Sequence, residues 1–332
     1  MEAQYLELAR RIGLEQSPRI PRLFAIIADP DEAGLMLSMP ADVPALAEKF
    51  GRSGEETQRM IDLLFFKGLI FPSRKTDPPT WRMCAHLIQF HDASILWPDA
   101  PREFLDLWQE FSDTEMLALT RQAAEARSHP VMRVIPVGVS VEVGSQILAF
   151  DDVRMAIENA DVIAVTKCTC KVAAQKCDTT LECCVQLNNA ARYAITRGTG
   201  KELTKPEAMA LMKQLEEEGL IHTVNNLKSM HQVICNCCRC CCQNFPGMIR
   251  YGINSVAPSR FLARIDPDLC TGCESCIERC FFEAIAMKDD TAEVVKPDKC
   301  VGCGLCQVVC PAEAICLDEV RSPDYIPDQW SH

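Results

Sequence analysis

The chain has 332 residues, of which 48% are hydrophobic and 24% are charged, a balance that excludes disorder as the main state. Lys and Arg number 34 against 46 Asp and Glu, so the formal net charge is −12. A broad phosphate-binding surface needs clustered positive charge, and nucleic acid is therefore not an expected partner. The length predicts about two or three domains.

Cysteine is concentrated in one part of the chain. Of the 21 cysteines, 20 lie between Cys168 and Cys316. The N-terminal residues contain no apolar signal-peptide core, and no apolar run approaches the ~18 residues of a membrane span. We therefore predict a cytoplasmic protein without a membrane span. In a reducing compartment, dense cysteine indicates metal or redox chemistry rather than a disulfide scaffold.

The first predicted domain, residues 1–128, is helix-rich. The segment ADVPALAEKFGRSGEETQRMIDLLFFKGLIFP predicts two amphipathic helices joined by a turn at Gly51–Gly54 and ended by Gly68. LIFP and WRMC predict a small two-stranded wing. This order resembles the winged helix-turn-helix domains of bacterial and archaeal regulators. Two more helices are predicted, from about Pro101 to Phe111 and from Asp113 to Ala126.

The charge of the helix that would enter DNA argues against DNA binding. Residues 52–67 carry three basic and three acidic side chains, so few of them could contact guanine or phosphate. The wing does offer Arg74, Lys75 and Arg82. We favour a winged-helix-like scaffold that packs, docks a partner or allows dimerisation.

The second predicted domain, residues 129–258, is an α+β region rich in cysteine. VMRVIPV, ADVIAVT and QVIC predict strands, the second leading into Cys168 and the third ending at Cys235. Thr204 and Glu207 form a capping box that opens the helix KPEAMALMKQLEEEG, and Gly219 ends it. Cysteines at strand ends are well placed to line a site on rigid elements.

The third predicted domain, residues 259–320, contains an internal near-repeat. IDPDLCTGCESCIERCFFEAIAM and VKPDKCVGCGLCQVVCPAEAICL each carry C-x2-C-x2-C-x3-C, a spacing typical of cubane iron–sulfur ligation. A zinc ribbon fits poorly, because it would pair two C-x2-C knuckles. The region resembles bacterial-type two-cluster ferredoxins, although Phe281 replaces the proline that usually follows the fourth cysteine. Residues 321–332 form a Pro-rich tail.

This pattern implies two [4Fe–4S] clusters, with the fourth cysteine of each run bound to the other cluster. The ligands implied for cluster I are Cys270, Cys273, Cys276 and Cys310. Those implied for cluster II are Cys280, Cys300, Cys303 and Cys306. Gly272, Gly302 and Gly304 suit a close approach of backbone to the sulfides.

The second domain contributes further candidate ligands. Six cysteines within residues 235–242 cannot all bind one cubane. They imply two metal sites, a larger or non-cubane cluster, or a cluster beside redox-active thiols. The candidate metal ligands of this domain are Cys168, Cys170, Cys177, Cys184, Cys235, Cys237, Cys238, Cys240, Cys241 and Cys242.

The whole chain also resembles a set of largely uncharacterised iron–sulfur proteins of anaerobic bacteria and archaea. Their shared features are a winged-helix-like N-terminus, a C-x-C-(R/K)…C…C segment, a CNCCxCCC run and a terminal two-cluster ferredoxin domain. The matching positions here are Cys168-Thr-Cys170-Lys171, Cys177, Cys184 and residues 235–242. Lys171 stands where those proteins more often have Arg. The resemblance implies an additional metal centre but names neither its type nor a reaction.

Several assignments of this centre remain open. We favour an iron–sulfur cluster on Cys168, Cys170, Cys177 and Cys184, with residues 235–242 holding or sharing another. Zinc at one four-cysteine set is the alternative. A substrate-reducing non-cubane cluster, as in heterodisulfide reductases, fits less well because the spacings differ.

Polar residues near these cysteines are expected to support them rather than to bind metal. Lys171 and Arg239 are expected to lie beside the thiolates as stabilising cations. His222 and His231 are expected in hydrogen-bonding or core roles.

The predicted function is that of an α+β multidomain electron carrier or oxidoreductase subunit. It would pass single electrons between redox partner proteins, as a homodimer or as part of a larger complex. The alternatives are a redox-sensing DNA-binding regulator and a reductase acting on a disulfide or small substrate at the middle centre. The sequence identifies no catalytic residue.

Overall fold

The computed structural model describes residues 2–73, 79–127, 129–138, 151–229 and 232–329. The chain forms two compact units, one of residues 1–116 with 172–174, the other of residues 117–171 with 175–332. The cysteine-rich and ferredoxin-like regions therefore belong to the same unit. Arg74, Lys75 and His231, which the sequence analysis considered, lie outside the described residues.

The first unit consists of helices and one hairpin. Its α-helices are α1 (Ala3–Arg11), α2 (Ile20–Ile27), α3 (Pro30–Leu37), α4 (Val43–Phe50), α5 (Gly54–Lys67), α6 (Leu87–Ile95) and α7 (Arg102–Phe111). Strands β1 (Ile70–Ser73) and β2 (Thr80–Met83) pair antiparallel. Its core is aromatic: Phe24 stacks on Phe90 with ring centroids 4.0 Å apart, and Trp108 packs edge-on against Phe90.

The two helices predicted on either side of Gly51 and the pair of strands predicted after Gly68 are confirmed. Gly51 and Gly68 end α4 and α5 in the left-handed conformation, and Ser53 forms a capping box with Glu56 at the start of α5. The assignment of these elements to a winged-helix fold stays a prediction.

The helix predicted from Asp113 differs in its first turn. Ser112–Met116 is π-helical, and α8 (Leu117–Ala126) follows it. The hydroxyls of Ser112 and Thr114 donate to the carbonyl oxygens of Trp108 and Glu110, so side chains occupy acceptors of the α-helical ladder. This competition accounts for the wider turn.

The second unit is built around a seven-stranded sheet. Its strands are β3 (Met132–Val134), β4 (Ile163–Lys167), β5 (Glu182–Leu187), β6 (Gly200–Leu203), β7 (Ile221–Asn225), β8 (Val233–Cys237) and β9 (Val256–Ala257). Their order is β6-β4-β5-β8-β7-β3-β9, and only β3 and β9 pair parallel. The accompanying helices are α9 (Val153–Glu158), α10 (Thr169–Ala174), α11 (Asn189–Thr196), α12 (Lys205–Glu218) and α13 (Phe245–Tyr251). The α+β class is confirmed.

The capping box that opens α12 is confirmed as well. The Thr204 hydroxyl accepts from the backbone N–H of Glu207, whose carboxylate accepts from the backbone N–H of Thr204. Gly219 ends the helix with φ 86°. Strand β8 runs two residues past the predicted end at Cys235.

Strand direction brings the cysteines of the sheet to one end. Strand β4 ends at Lys167, β5 begins at Glu182 and β8 ends at Cys237, and neighbouring strands in this group are antiparallel. The end of β4, the start of β5 and the end of β8 therefore lie side by side. Cysteines that are distant in sequence are consequently close in space.

The remaining elements belong to the repeated cysteine runs. Strand β10 (Phe261–Ile265) pairs with β13 (Ile315–Glu319), and β11 (Ile285–Lys288) pairs with β12 (Thr291–Val294). Short helices α14 (Ser275–Arg279) and α15 (Leu305–Val308) each begin two residues after the second cysteine of a run. The core between them is aliphatic, around Ile285, Ile315 and Leu317.

Candidate metal centres

The eight cysteines of the repeat lie in two sets. Electrostatic neighbours of the Cys276 thiol are Cys270, Cys273 and Cys310, and burial raises the pKa of Cys276 to about 11. Neighbours of the Cys306 thiol include Cys303, Cys300 and Cys280, and burial raises the pKa of Cys303 to about 12. In each set three thiols come from one run and the fourth from the other.

The second set lines a cavity. Cys280, Cys300, Cys303 and Cys306 border it, together with Phe281 and Phe282. Phe282 packs edge-on against Phe245, with centroids 5.6 Å apart. This set is thus embedded in apolar side chains, which favours a low-dielectric, sheltered centre.

Backbone amides point at several of these sulfurs. The N–H groups of Ala284 and Ala314 donate to the Sγ atoms of Cys280 and Cys310 over 3.4 Å and 3.3 Å. The N–H of Ala292 donates to Cys270 Sγ over 3.4 Å. Hydrogen bonds to sulfur stabilise thiolate charge and tune the potential of an iron–sulfur cluster. The donor set and its amides therefore fit two [4Fe–4S] clusters.

The sheet carries three further thiol groups. The first, the Cys168 group, consists of Cys168, Cys170 and Cys183. Hydrogen bonds with Cys170 and then with Cys183 lower the pKa of Cys168 to about 3. The hydrogen bond with Cys168, followed by burial, raises the pKa of Cys183.

A β-bulge lies next to Cys183 in strand β5. In the β4–β5 ladder Thr166 pairs with Cys184, and Lys167 pairs with Glu182, so the register skips Cys183. The side chains of β5 still alternate regularly, with Cys183, Val185 and Leu187 buried on one face. Cys183 was not among the ligands predicted from the sequence.

The second, the Cys237 group, consists of Cys184, Cys235, Cys237 and Cys242. Hydrogen bonds with Cys184 and Cys237 raise the pKa of Cys235, and the hydrogen bond with Cys235 lowers that of Cys237. Cys242 also forms a hydrogen bond with Cys237, and this hydrogen bond raises the pKa of Cys242. Cys235 and Cys237 share a strand face, as expected for residues two apart.

The third, the Cys240 group, consists of Cys177, Cys238, Cys240 and Cys241. Their four Sγ atoms all lie within 4.8 Å of one another. Burial opposes ionisation of Cys177, but hydrogen bonds with Thr179 lower its pKa to about 7. The preferred four-cysteine set of the sequence analysis is thus distributed: Cys168 and Cys170 lie in one group, Cys184 in another and Cys177 in this one.

Two buried polar networks support the thiols. The Lys171 ammonium lies 3.3 Å from Cys183 Sγ and donates to the Thr180 carbonyl over 2.7 Å. Lys171 is only 4% exposed, so its charge acts on the thiols through little water. Arg239, the other expected cation, lies over the Phe281 ring, 5.9 Å from its centroid.

The second network centres on His222. Its Nδ1 lies 2.5 Å from Asn236 Oδ1, and its Nε2 lies 3.1 Å from Glu216 Oε1. Asn236 Nδ2 donates to the Cys183 carbonyl over 2.6 Å. Both ring nitrogens of His222 are therefore engaged, in agreement with the expected hydrogen-bonding role.

Comparisons with known proteins bear on the C-terminal region. Residues 263–317 match the family model described as a 4Fe-4S dicluster domain. No curated protein and no solved structure matches the chain. Among the described residues, no helix is both long and apolar enough to cross a membrane. The dicluster match and the thiol-rich sheet together support an iron–sulfur protein whose C-terminal region is of ferredoxin type.

Proposed function

We propose that this protein transfers single electrons between partner proteins through two [4Fe–4S] clusters and a further cysteine-bound centre. The observation that carries the proposal is the match of residues 263–317, which include all eight cysteines of the two runs, to a 4Fe-4S dicluster domain. When bound, such clusters accept and release one electron at a time.

In this proposal the ligation is crossed: each cluster is bound by three cysteines of one run and by the fourth cysteine of the other run. Cys310 completes the set of Cys276, and Cys280 completes the set of Cys303. Electrostatic proximity supports this assignment, because Cys310 interacts with Cys276 of the first run and Cys280 interacts with Cys303 and Cys306 of the second. Crossed ligation ties both runs to both centres, so neither half of the repeat could hold its cluster alone.

The surroundings of the two sets differ. Cys273 is exposed, whereas burial raises the pKa of Cys306 well above its usual value. Burial disfavours added charge, and reduction adds negative charge to a cluster. The set of Cys306 would accordingly hold the cluster with the lower potential, and the set of Cys273 would face the partner protein.

The role proposed for the first unit is partner docking or dimerisation rather than DNA binding. Arg59 on α5 pairs with Glu55 over 3.0 Å, and Arg52, just before α5, pairs with Asp31 over 2.6 Å. Both arginines have acidic side chains beside them, which weakens the case for a regulator that reads DNA. A reductase at the thiol-rich sheet remains the alternative for the second unit.

Paired substitutions test the crossed assignment. Cys280→Ser and Cys303→Ser should abolish the same cluster signal in the electron paramagnetic resonance spectrum of the reduced, anaerobically purified protein. Each should lower the iron content by about four per chain. Cys273→Ser should abolish the other signal.

Cys316→Ser is the matched control, because Cys316 lies in the same region but outside both sets; its spectrum and iron content should equal those of the unsubstituted protein. The assignment is wrong if Cys280→Ser and Cys273→Ser remove the same signal. The proposed function is wrong if the purified protein contains no reducible iron.

A further inference from the structure

The Cys240 group differs from every other thiol set in the spacing of its sulfurs. Cys177 Sγ lies 3.7 Å from Cys238 Sγ and 3.6 Å from Cys241 Sγ, and Cys240 Sγ lies 3.9 Å from Cys241 Sγ. Over the parts of the chain that the structure describes, this is the one group of three or more potential ligands whose donor atoms all lie within 4.8 Å.

This spacing indicates the nuclearity of the centre. Four sulfurs placed tetrahedrally at the zinc–sulfur distance of about 2.3 Å are about 3.8 Å apart. A cubane holds its thiolates further apart, because four irons and four sulfides lie between them. The two ferredoxin-type sets, which suit cubanes, do not reach the close spacing of the Cys240 group. The sulfurs of the Cys240 group thus surround a space for one metal ion.

The chain path builds a closed site. Three ligands come from the turn after β8, where the N–H of Cys241 donates to Cys238 Sγ over 3.3 Å. The fourth, Cys177, is 61 residues earlier than Cys238 and has its Sγ 3.3 Å from the Thr179 hydroxyl. Four thiolates fill a tetrahedral shell and leave no position for substrate, as in structural zinc sites.

We propose that Cys177, Cys238, Cys240 and Cys241 bind one zinc ion as a structural four-thiolate centre. Binding displaces thiol protons to solvent and involves no change in oxidation state. The ion would join the loop after α10 to the turn after β8. This inference deepens the proposed function and rests on its statement that the sheet binds a further metal centre. The other seven thiols of the sheet are left for a redox-active centre.

The test begins with the full chain, purified without oxygen from cells supplied with both iron and zinc. Elemental analysis should find about one zinc per chain in addition to the cluster iron, and zinc X-ray absorption should show four sulfurs at about 2.3 Å. Cys240→Ser should lower zinc at least fivefold and leave the iron content and the signals of both ferredoxin-type clusters unchanged.

Cys316→Ser is the control for cysteine loss and should keep its zinc. If Cys240→Ser does not fold, the zinc X-ray absorption spectrum of the unsubstituted protein still shows whether four sulfurs bind the zinc. Absence of zinc, zinc bound by fewer than four sulfurs, or iron in this site overturns the inference. If two reducible clusters are still found after such a result, the proposed electron transfer stands. If zinc is found but neither cluster is, only the proposed function is overturned.

Discussion

Gly302 illustrates a constraint at the scale of one residue. It adopts φ 63°, and a Cβ atom built there would overlap the carbonyl oxygen of Phe261 and the Ser259 hydroxyl. The cysteine spacing predicts that this glycine admits sulfides, whereas the structure places the backbone of Phe261 against it. Gly272 is similar, since its Cβ would lie 2.7 Å from the Asp290 carbonyl oxygen. Both glycines let another segment approach a cysteine run closely.

We predict that Gly302→Ala destabilises the protein and lowers its iron content. The methyl group must displace the backbone next to Cys303, so about four iron per chain should be lost. Gly252→Ala is the matched control, because Gly252 has φ 65° and open space around it. The control should cost about 1 kcal/mol and retain all iron. Equal thermal stability and iron content in the two variants would contradict the argument.

At the scale of elements, the end of the β5–β8 ladder decides which thiols meet. Val185 pairs with Ile234, and beyond them the Asn236 side chain bonds the Cys183 carbonyl. Asn236 therefore connects strand β8 to the bulged residue of β5. Cys183 and Cys184 are adjacent in sequence, but regular strand alternation places them on opposite faces of β5 and in different thiol groups.

We predict that Asn236→Ala lowers the free energy of unfolding by about 1–3 kcal/mol, because the Cys183 carbonyl and His222 lose a buried partner. Denaturant unfolding of the full chain, followed by circular dichroism, measures the change. The exposed Asn159, at the end of α9, is the control, and its replacement by Ala should change stability by less than about 0.5 kcal/mol. A smaller effect at Asn236 than at Asn159 would refute the structural role of this side chain.

At the scale of the whole molecule, the net charge of −12 is the property most relevant to partners. A negative surface attracts positively charged partners over distances comparable with the Debye length. Electron transfer requires only a brief encounter, so this attraction would act mainly on the association rate.

We predict that the reduced protein reacts faster with a cationic one-electron oxidant than with an anionic oxidant of similar potential. Stopped-flow measurements should show the ratio of rates falling toward one as salt rises from about 0.01 M to about 1 M, where the Debye length shrinks from about 30 Å to about 3 Å. A neutral oxidant serves as the control and should show little dependence on salt. A faster reaction with the anionic oxidant would disprove electrostatic steering.

The sequence by itself determined features that depend on short stretches of chain. The two C-x2-C-x2-C-x3-C runs, the capping box at Thr204 and the helix ends at Gly51 and Gly68 all rest on residues a few positions apart. Local spacing therefore sufficed for the dicluster region and for the elements around it.

Only the tertiary structure decided how the thiols of the sheet divide. Cys177 lies with Cys238 and Cys241, 61 and 64 residues away, because antiparallel strands return the chain to the same end of the sheet. Cys183 lies with Cys168 because antiparallel pairing brings the start of β5 beside the end of β4. Strand register, bulges and the pairing of distant segments depend on packing across the whole unit, which local sequence patterns do not contain.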